Sequence, residues 1–123
     1  KLFLERIKDK LPPKINGDGT QFRDFVHVSD VVKANILSMD SDIKHDFFNV
    51  GTNSSVSIFE LANTVIQASG LNIQPVYGPP LPGDVQKTLA DIQLIKEKLS
   101  WTPTIKLEDW IKEIITSNRI DEV

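Results

Sequence analysis

Between Ile15 and Val32 the chain reads INGDGTQFRDFVHVSDVV, and several residues able to do chemistry crowd into it. Gly17 and Gly19 are spaced like the first two glycines of a phosphate-cradling dinucleotide loop. That loop needs a third small residue and a helix directly after it. Phe22 occupies the third position and a strand-like run follows, so a hairpin turn is the favoured reading. Arg23 can present its planar fork to a phosphate, or it can pair with a neighbouring carboxylate. His27 alternates with Phe25 and reads as a hydrogen-bonded structural residue ahead of a general base. Further on, PPLPGD sets Asp84 on a proline-rich loop. A carboxylate there suits sugar or ribose hydroxyls, and equally suits its own loop backbone.

Other chemistry is missing. The chain has no cysteine, which removes disulfides, thiolate nucleophiles and cysteine-bound metals. His27 and His45 fall in no ligand spacing. Tyr77 is followed four residues later by Leu81, so a Tyr-x-x-x-Lys acid/base pair does not occur here. No Ser-His-Asp set or carboxylate pair stands out. A net charge of −3 speaks against nucleic acid as the partner. No apolar run approaches the length of a membrane span.

The elements that must position these residues can be read from periodicity. At 123 residues, 40% hydrophobic and 25% charged, the chain has the make-up of one soluble domain. Leu2, Phe3, Leu4 and Ile7 predict a short helix stopped by Pro12 and Pro13. Asp18-Gly19 predicts a type I′ hairpin between a strand at Lys14-Ile15 and one in TQFRDFVHV. Ser29 is expected to cap a helix to about Met39, with Val32, Ile36 and Met39 on one face. DFFNVG reads as a short buried strand. Ser57 and Glu60 form a capping box for a helix carrying Ile58, Leu61, Ala62, Val65 and Ile66, closed by Gly70. IQPVY is a further strand. Asp91 starts a helix with Ile92, Ile95 and Leu99 inward. Leu107, Trp110, Ile111, Ile114 and Ile115 mark a last helix, and SNRIDEV a frayed tail. Trp101 and Trp110 read as packing residues.

Three stretches carry a resemblance: GDGTQFRDFVHVSDVVKAN, FNVGTNSSVSIFELANTV and PGDVQKTLADIQLIKEKLSWTPTIKLEDWI. Their order and spacing resemble the C-terminal part of the NAD-dependent epimerase/dehydratase family, the extended short-chain dehydrogenases whose best-known member is UDP-glucose 4-epimerase. The likeness runs from about Phe3 to Ile114. It implies an α+β fold: a small C-terminal substrate-binding domain of four or five helices and short strands, spanning residues 1–123 and lacking the Rossmann half. The chain, which does not begin with Met, is then expected to be a piece of a longer enzyme and inactive alone.

By position, the resemblance assigns Arg23 to the substrate diphosphate, Asp84 to the ribose hydroxyls, and Asn16 to the place where many relatives carry an aromatic beside the uracil ring. Leu81 stands where the family's second phosphate arginine would be. No catalytic and no metal residue is expected in this chain. NAD is expected on the missing N-terminal domain and not here. The implied partners are a nucleotide-sugar substrate, an N-terminal Rossmann domain and a second copy in a homodimer, with neither nucleic acid nor membrane, in the cytoplasm. The implied reaction is C4 epimerisation of a UDP-hexose by transient oxidation. The alternatives are a nucleotide-sugar 4,6-dehydratase, a uronate decarboxylase, or a non-catalytic binding or oligomerisation domain. Cut from its partner, such a domain is expected to expose an apolar face, with Phe3 and Ile7 as candidates.

Overall fold

The best-defined helix starts where the sequence says it should. Ser57 accepts the amide of Glu60 at 3.1 Å, and the Glu60 carboxylate accepts the amide of Ser57 at 2.8 Å. Two otherwise orphaned donors are satisfied at once. These hydrogen bonds hold the Glu60 carboxyl below its ordinary pKa. Gly70 ends the helix in the left-handed region at φ +69°, where it costs no Cβ strain.

The computed structural model describes residues 1–122. Its elements are α1 (Leu2–Lys8), β1 (Lys14–Asn16), β2 (Phe22–Arg23), α2 (Val28–Asp40), β3 (Val56–Ser57), α3 (Ile58–Ser69), β4 (Val76–Gly78), α4 (Gln93–Leu99), α5 (Leu107–Thr116) and a final 3-10 turn, Ile120–Glu122. The strands make two small sheets. β1 pairs with β4 in parallel, Ile15 opposite Tyr77. β2 pairs antiparallel with β3, Arg23 opposite Val56. The backbone of Lys87 adds a parallel bridge on the other side of Phe22.

Two apolar clusters hold the elements. Leu4 and Ile7 of α1, Val65 and Ile66 of α3, Ile111 and Ile114 of α5, and Ile120 form the first. Ala34 of α2, Ile92, Ile95 and Leu99 around α4, and Trp101 form the second. Burying a side chain of this size contributes roughly 1.5–3 kcal/mol. The inward sets expected on α3, α4 and α5 are found largely in these clusters.

Six expectations are corrected. The Gly17–Gly19 turn does not close a hairpin: β1 and β2 lie in different sheets, and the turn carries the chain from one to the other. Both glycines do have positive φ, +79° and +80°, while Asp18 does not. Asp18 instead accepts the amide and hydroxyl of Thr20, which lowers its pKa. The cap of α2 is His27, whose Nδ1 accepts the amide of Ser29 at 3.2 Å. On α2 the apolar face is outward: Val32 and Ile36 are about half exposed and Met39 is 83% exposed, whereas Asp30 and Ala34 are buried. DFFNVG is not a paired strand, and its Phe47 is 95% exposed. Finally, the tail is tied down as far as Glu122, with Ile120 buried and Asp121 bonded to Lys8; Val123 lies outside the described residues. Ile7 is likewise buried, while α1 leaves Phe3 half-buried and Leu2 exposed, and the larger exposed apolar face belongs to α2.

Candidate functional site

The three residues assigned by resemblance come from three segments that the two sheets bring together. Asn16 ends β1 and Arg23 ends β2. Asp84 lies on the loop after β4, where Gly83 takes φ +77°. That loop is held against β2 by two backbone bonds, Phe22 N–H to Gln86 at 2.8 Å and Thr88 N–H to Phe22 at 3.1 Å. Asn16, Gly17, Gln21, Tyr77, Leu81 and Asp84 line a cleft of about 780 Å³.

Arg23 and Asp84 form one ion pair: Arg23 Nη2 donates to Asp84 Oδ1, and Arg23 Nη1 donates to the Phe22 carbonyl at 2.6 Å. Their side chains are 20% and 32% exposed, so both keep a face open to solvent. The carboxylate-pair reading of Arg23 is therefore what the chain itself makes, and its partner is the other assigned residue. Asp84 does not turn back on its own loop backbone. Its second oxygen accepts from Gln21 Nε2 at 3.2 Å, and the same amide donates to the Asn16 carbonyl at 2.9 Å. An anion and an amide thus line the cleft, and the cation bonded to that anion lines the neighbouring apolar groove. Such a set can grip a phosphate and a vicinal diol side by side.

Two buried or half-buried aspartates, neither singled out from sequence, organise the backbone, Asp24 beside Arg23 and Asp30 at the start of α2. The Asp24 carboxylate accepts the amides of Thr52 at 2.8 Å, Asn53 at 3.2 Å and Ala90 at 3.1 Å. It pins β2 to the segment before β3 and to the segment after the Asp84 loop. Gly51 is obligatory beside it: a Cβ there would lie 2.4 Å from Ala90 Cβ and 2.8 Å from Asp24 Oδ2. Asp30 is fully buried. It accepts the amides of Thr104 at 2.9 Å and Ile105 at 3.0 Å and the Thr104 hydroxyl at 2.8 Å, with Lys33 at 3.3 Å. Burial alone would raise its pKa, but these hydrogen bonds outweigh it and bring the value down to about 2. Trp101 Nε1 donates to the Asp30 carbonyl at 2.9 Å, so the indole is satisfied inside the core. His27 caps α2 and meets Trp110 edge-on, centroids 5.9 Å apart, a structural role. Charged residues ahead of and within a helix's first turn were the only sequence signal for Asp30; apart from Lys33, its partners Thr104 and Ile105 are more than 70 residues away.

The Gly17–Gly19 turn does not fit a dinucleotide pyrophosphate. β2 follows it in place of a helix, and the Gly17 amide already donates to the Gly78 carbonyl at 3.0 Å. Among the described residues no group of three or more acidic, histidine or cysteine side chains is placed to hold a metal ion. No helix among them is long and apolar enough to cross a membrane. A second, apolar groove of about 620 Å³ runs between α1, the Phe25–Val28 segment, α3 and α5.

The comparisons with known proteins agree with this architecture. The family model for GDP-mannose 4,6 dehydratase matches residues 1–114. A UDP-glucose 4-epimerase of Mycolicibacterium smegmatis is 32% identical over 114 residues, 93% of this chain and 36% of that protein. The crystal structure of UDP-glucose 4-epimerase from Thermotoga maritima, with UDP-glucose, is 36% identical and superposes with a TM-score of 0.89 over 98% of this chain and 39% of its own. The structure of MoeE5 with UDP-glucose and NAD is 34% identical, with a TM-score of 0.86 over 98% of this chain and 41% of its own. The chain thus spans about two fifths of the length of the proteins it matches, and its five helices and few short strands match the C-terminal part of the epimerase structures. With the fold, the order of elements and the sequence in accord, this chain belongs to the NAD-dependent epimerase/dehydratase family and is UDP-glucose 4-epimerase-like.

Proposed function

We propose that residues 1–123 are the nucleotide-sugar-binding domain of a cytoplasmic NAD-dependent epimerase that acts at C4 of a UDP-hexose. The observation that carries this reading is the pairing of Arg23 with Asp84 at the edge of a cleft that also holds Asn16. Arg23 offers a fork to the diphosphate. Asp84 offers lone pairs to the ribose hydroxyls. Asn16, which cannot stack as an aromatic does, offers hydrogen bonds to the base edge. Relatives crystallised with UDP-glucose support the choice of ligand class.

NAD supplies the reversible removal of hydride from C4, and its site belongs to the N-terminal Rossmann domain; the Gly17–Gly19 turn is not built for it. This chain contributes binding energy far from the reacting carbon, which holds the sugar in place for the chemistry. The domain alone therefore binds without turning over. The outward face of α2, with Val28, Val32, Ile36 and Met39, is the surface that meets the rest of the enzyme. The full enzyme works as a homodimer. A second reading, a 4,6-dehydratase, draws on the description of the matching family model, and it would use the same grip and the same first oxidation.

The test is Arg23→Ala in the full-length protein. UDP-glucose affinity should fall by about 1.5–3 kcal/mol, one to two decades, as for a charge-assisted hydrogen bond. Unchanged KM and kcat/KM would reduce Arg23 to a structural ion-pair residue and sink the assignment.

A further inference from the structure

Asp84 is tied twice. One oxygen is held by Arg23 and the other by Gln21. The two ties differ in what happens when a diphosphate arrives. The guanidinium is the group an incoming anion competes for, and each fork bond given to phosphate is one withdrawn from Asp84. Left with no other anchor, a loop carboxylate at 32% side-chain exposure would swing into solvent at the moment its lone pairs are needed.

Gln21 is built to prevent that. Its Nε2 donates to the Asn16 carbonyl at 2.9 Å as well as to Asp84, so it spans from the end of β1 to the Asp84 loop. Its main chain is fixed, because the Gln21 backbone carbonyl accepts the Ile58 amide at 2.9 Å, at the start of the capped α3. An amide is also the right donor. It holds one oxygen without neutralising the carboxylate, which keeps its negative charge for hydroxyl donors.

We propose that Gln21 is a positioning residue that holds Asp84 in register for the ribose hydroxyls while the diphosphate engages Arg23, so that selection for a ribonucleotide depends on Gln21. This rests on the reading of Arg23 and Asp84 given above.

The experiment is calorimetric titration of the full-length protein with UDP and with 2′,3′-dideoxy-UDP at fixed salt. The native protein should bind UDP about tenfold or more tightly than the dideoxy compound, the size of a hydrogen bond to a charged group. In Gln21→Met, which keeps the length and deletes the amide, that ratio should fall below about threefold while the dideoxy Kd stays within about threefold of native. Gln21→Glu, placing a second carboxylate against Asp84, should lose the ratio in the same way. A ratio that survives in both variants overturns the proposal and leaves the Arg23–Asp84 reading standing. Loss of dideoxy binding in both variants makes Gln21 a folding residue and also overturns it. No ratio in the native protein removes Asp84 from the ribose, and the proposal fails with that reading.

Discussion

Replacing Asp30 should unmake more of this domain than its single charge suggests. Asp30→Ala strands two backbone donors, the amides of Thr104 and Ile105, and leaves the Thr104 hydroxyl and Lys33 without their acceptor. Both amides lose their acceptor, Ile105 being half-buried and Thr104 exposed, and a buried donor left unpaired costs about 1–3 kcal/mol. The expected loss is about 3–5 kcal/mol, a large share of the total stability of a domain this size. A second, independent handle is pH. The folded pKa of about 2 lies below the ordinary 3.8, so the stabilisation is fully present above pH 4 and is lost as pH falls toward 2. That depression corresponds to about 2–3 kcal/mol of linked stability. Urea unfolding of the native chain and of Asp30→Asn, followed by circular dichroism from pH 2 to 7, reads both quantities. The native chain should lose stability on the acid limb, and Asp30→Asn should start lower and flatten that limb. If Asp30→Asn costs under about 0.5 kcal/mol at pH 7 and shares the native acid limb, the buried carboxylate does not organise the Thr104 segment and the reasoning fails.

Placing a cation at residue 81, Leu81→Arg, should tighten UDP binding to the full-length protein by about one to two decades; weaker or unchanged binding would show that the loop does not aim residue 81 at the phosphates. Gly51→Ala forces a Cβ into Ala90 and Asp24 and should cost about 2 kcal/mol or more, seen as a lowered Tm; an unchanged Tm would mean that this junction yields freely. The isolated chain should self-associate through the outward face of α2 and Phe47. Met39→Glu combined with Phe47→Glu should make it monomeric by sedimentation without lowering Tm, and a native chain already monomeric with no dye-binding surface would contradict this.

What the sequence carried plainly were features whose evidence is local. The Ser57–Glu60 box, the Gly70 cap and the inward set Ile92, Ile95 and Leu99 each sit within one helix of their cause. The Gly17–Gly19 turn shows the limit: the dipeptide encodes a reversal of the chain, not the identity of the strand that follows it. β1 finds its partner at Val76–Gly78, and β2 finds its own at Val56–Ser57. On α2 the periodicity correctly marked an apolar face, but an apolar face says nothing about which molecule covers it. Arg23 and Asp84 were candidates by residue type alone, each with a bland reading left open, and the resemblance gave them roles; Asn16 was named through resemblance only. Their physical connection through Gln21 was hidden because Gln21 and Asp84 are 63 positions apart. Asp24 and Asp30 escaped for the same reason.

The parallel pairing of β1 with β4 has a consequence in time. Lys14 meets Val76, and Arg23 meets Asp84 across 61 positions, so the contacts that bring β4 and the Asp84 loop to the cleft close long loops of chain. Such closures cost configurational entropy early and return energy only once both ends arrive. α3, with its cap and its stop written into adjacent residues, needs no such wait. On this ground the cleft assembles after α3, and a nucleotide bound there would act as a clasp on that later step of folding.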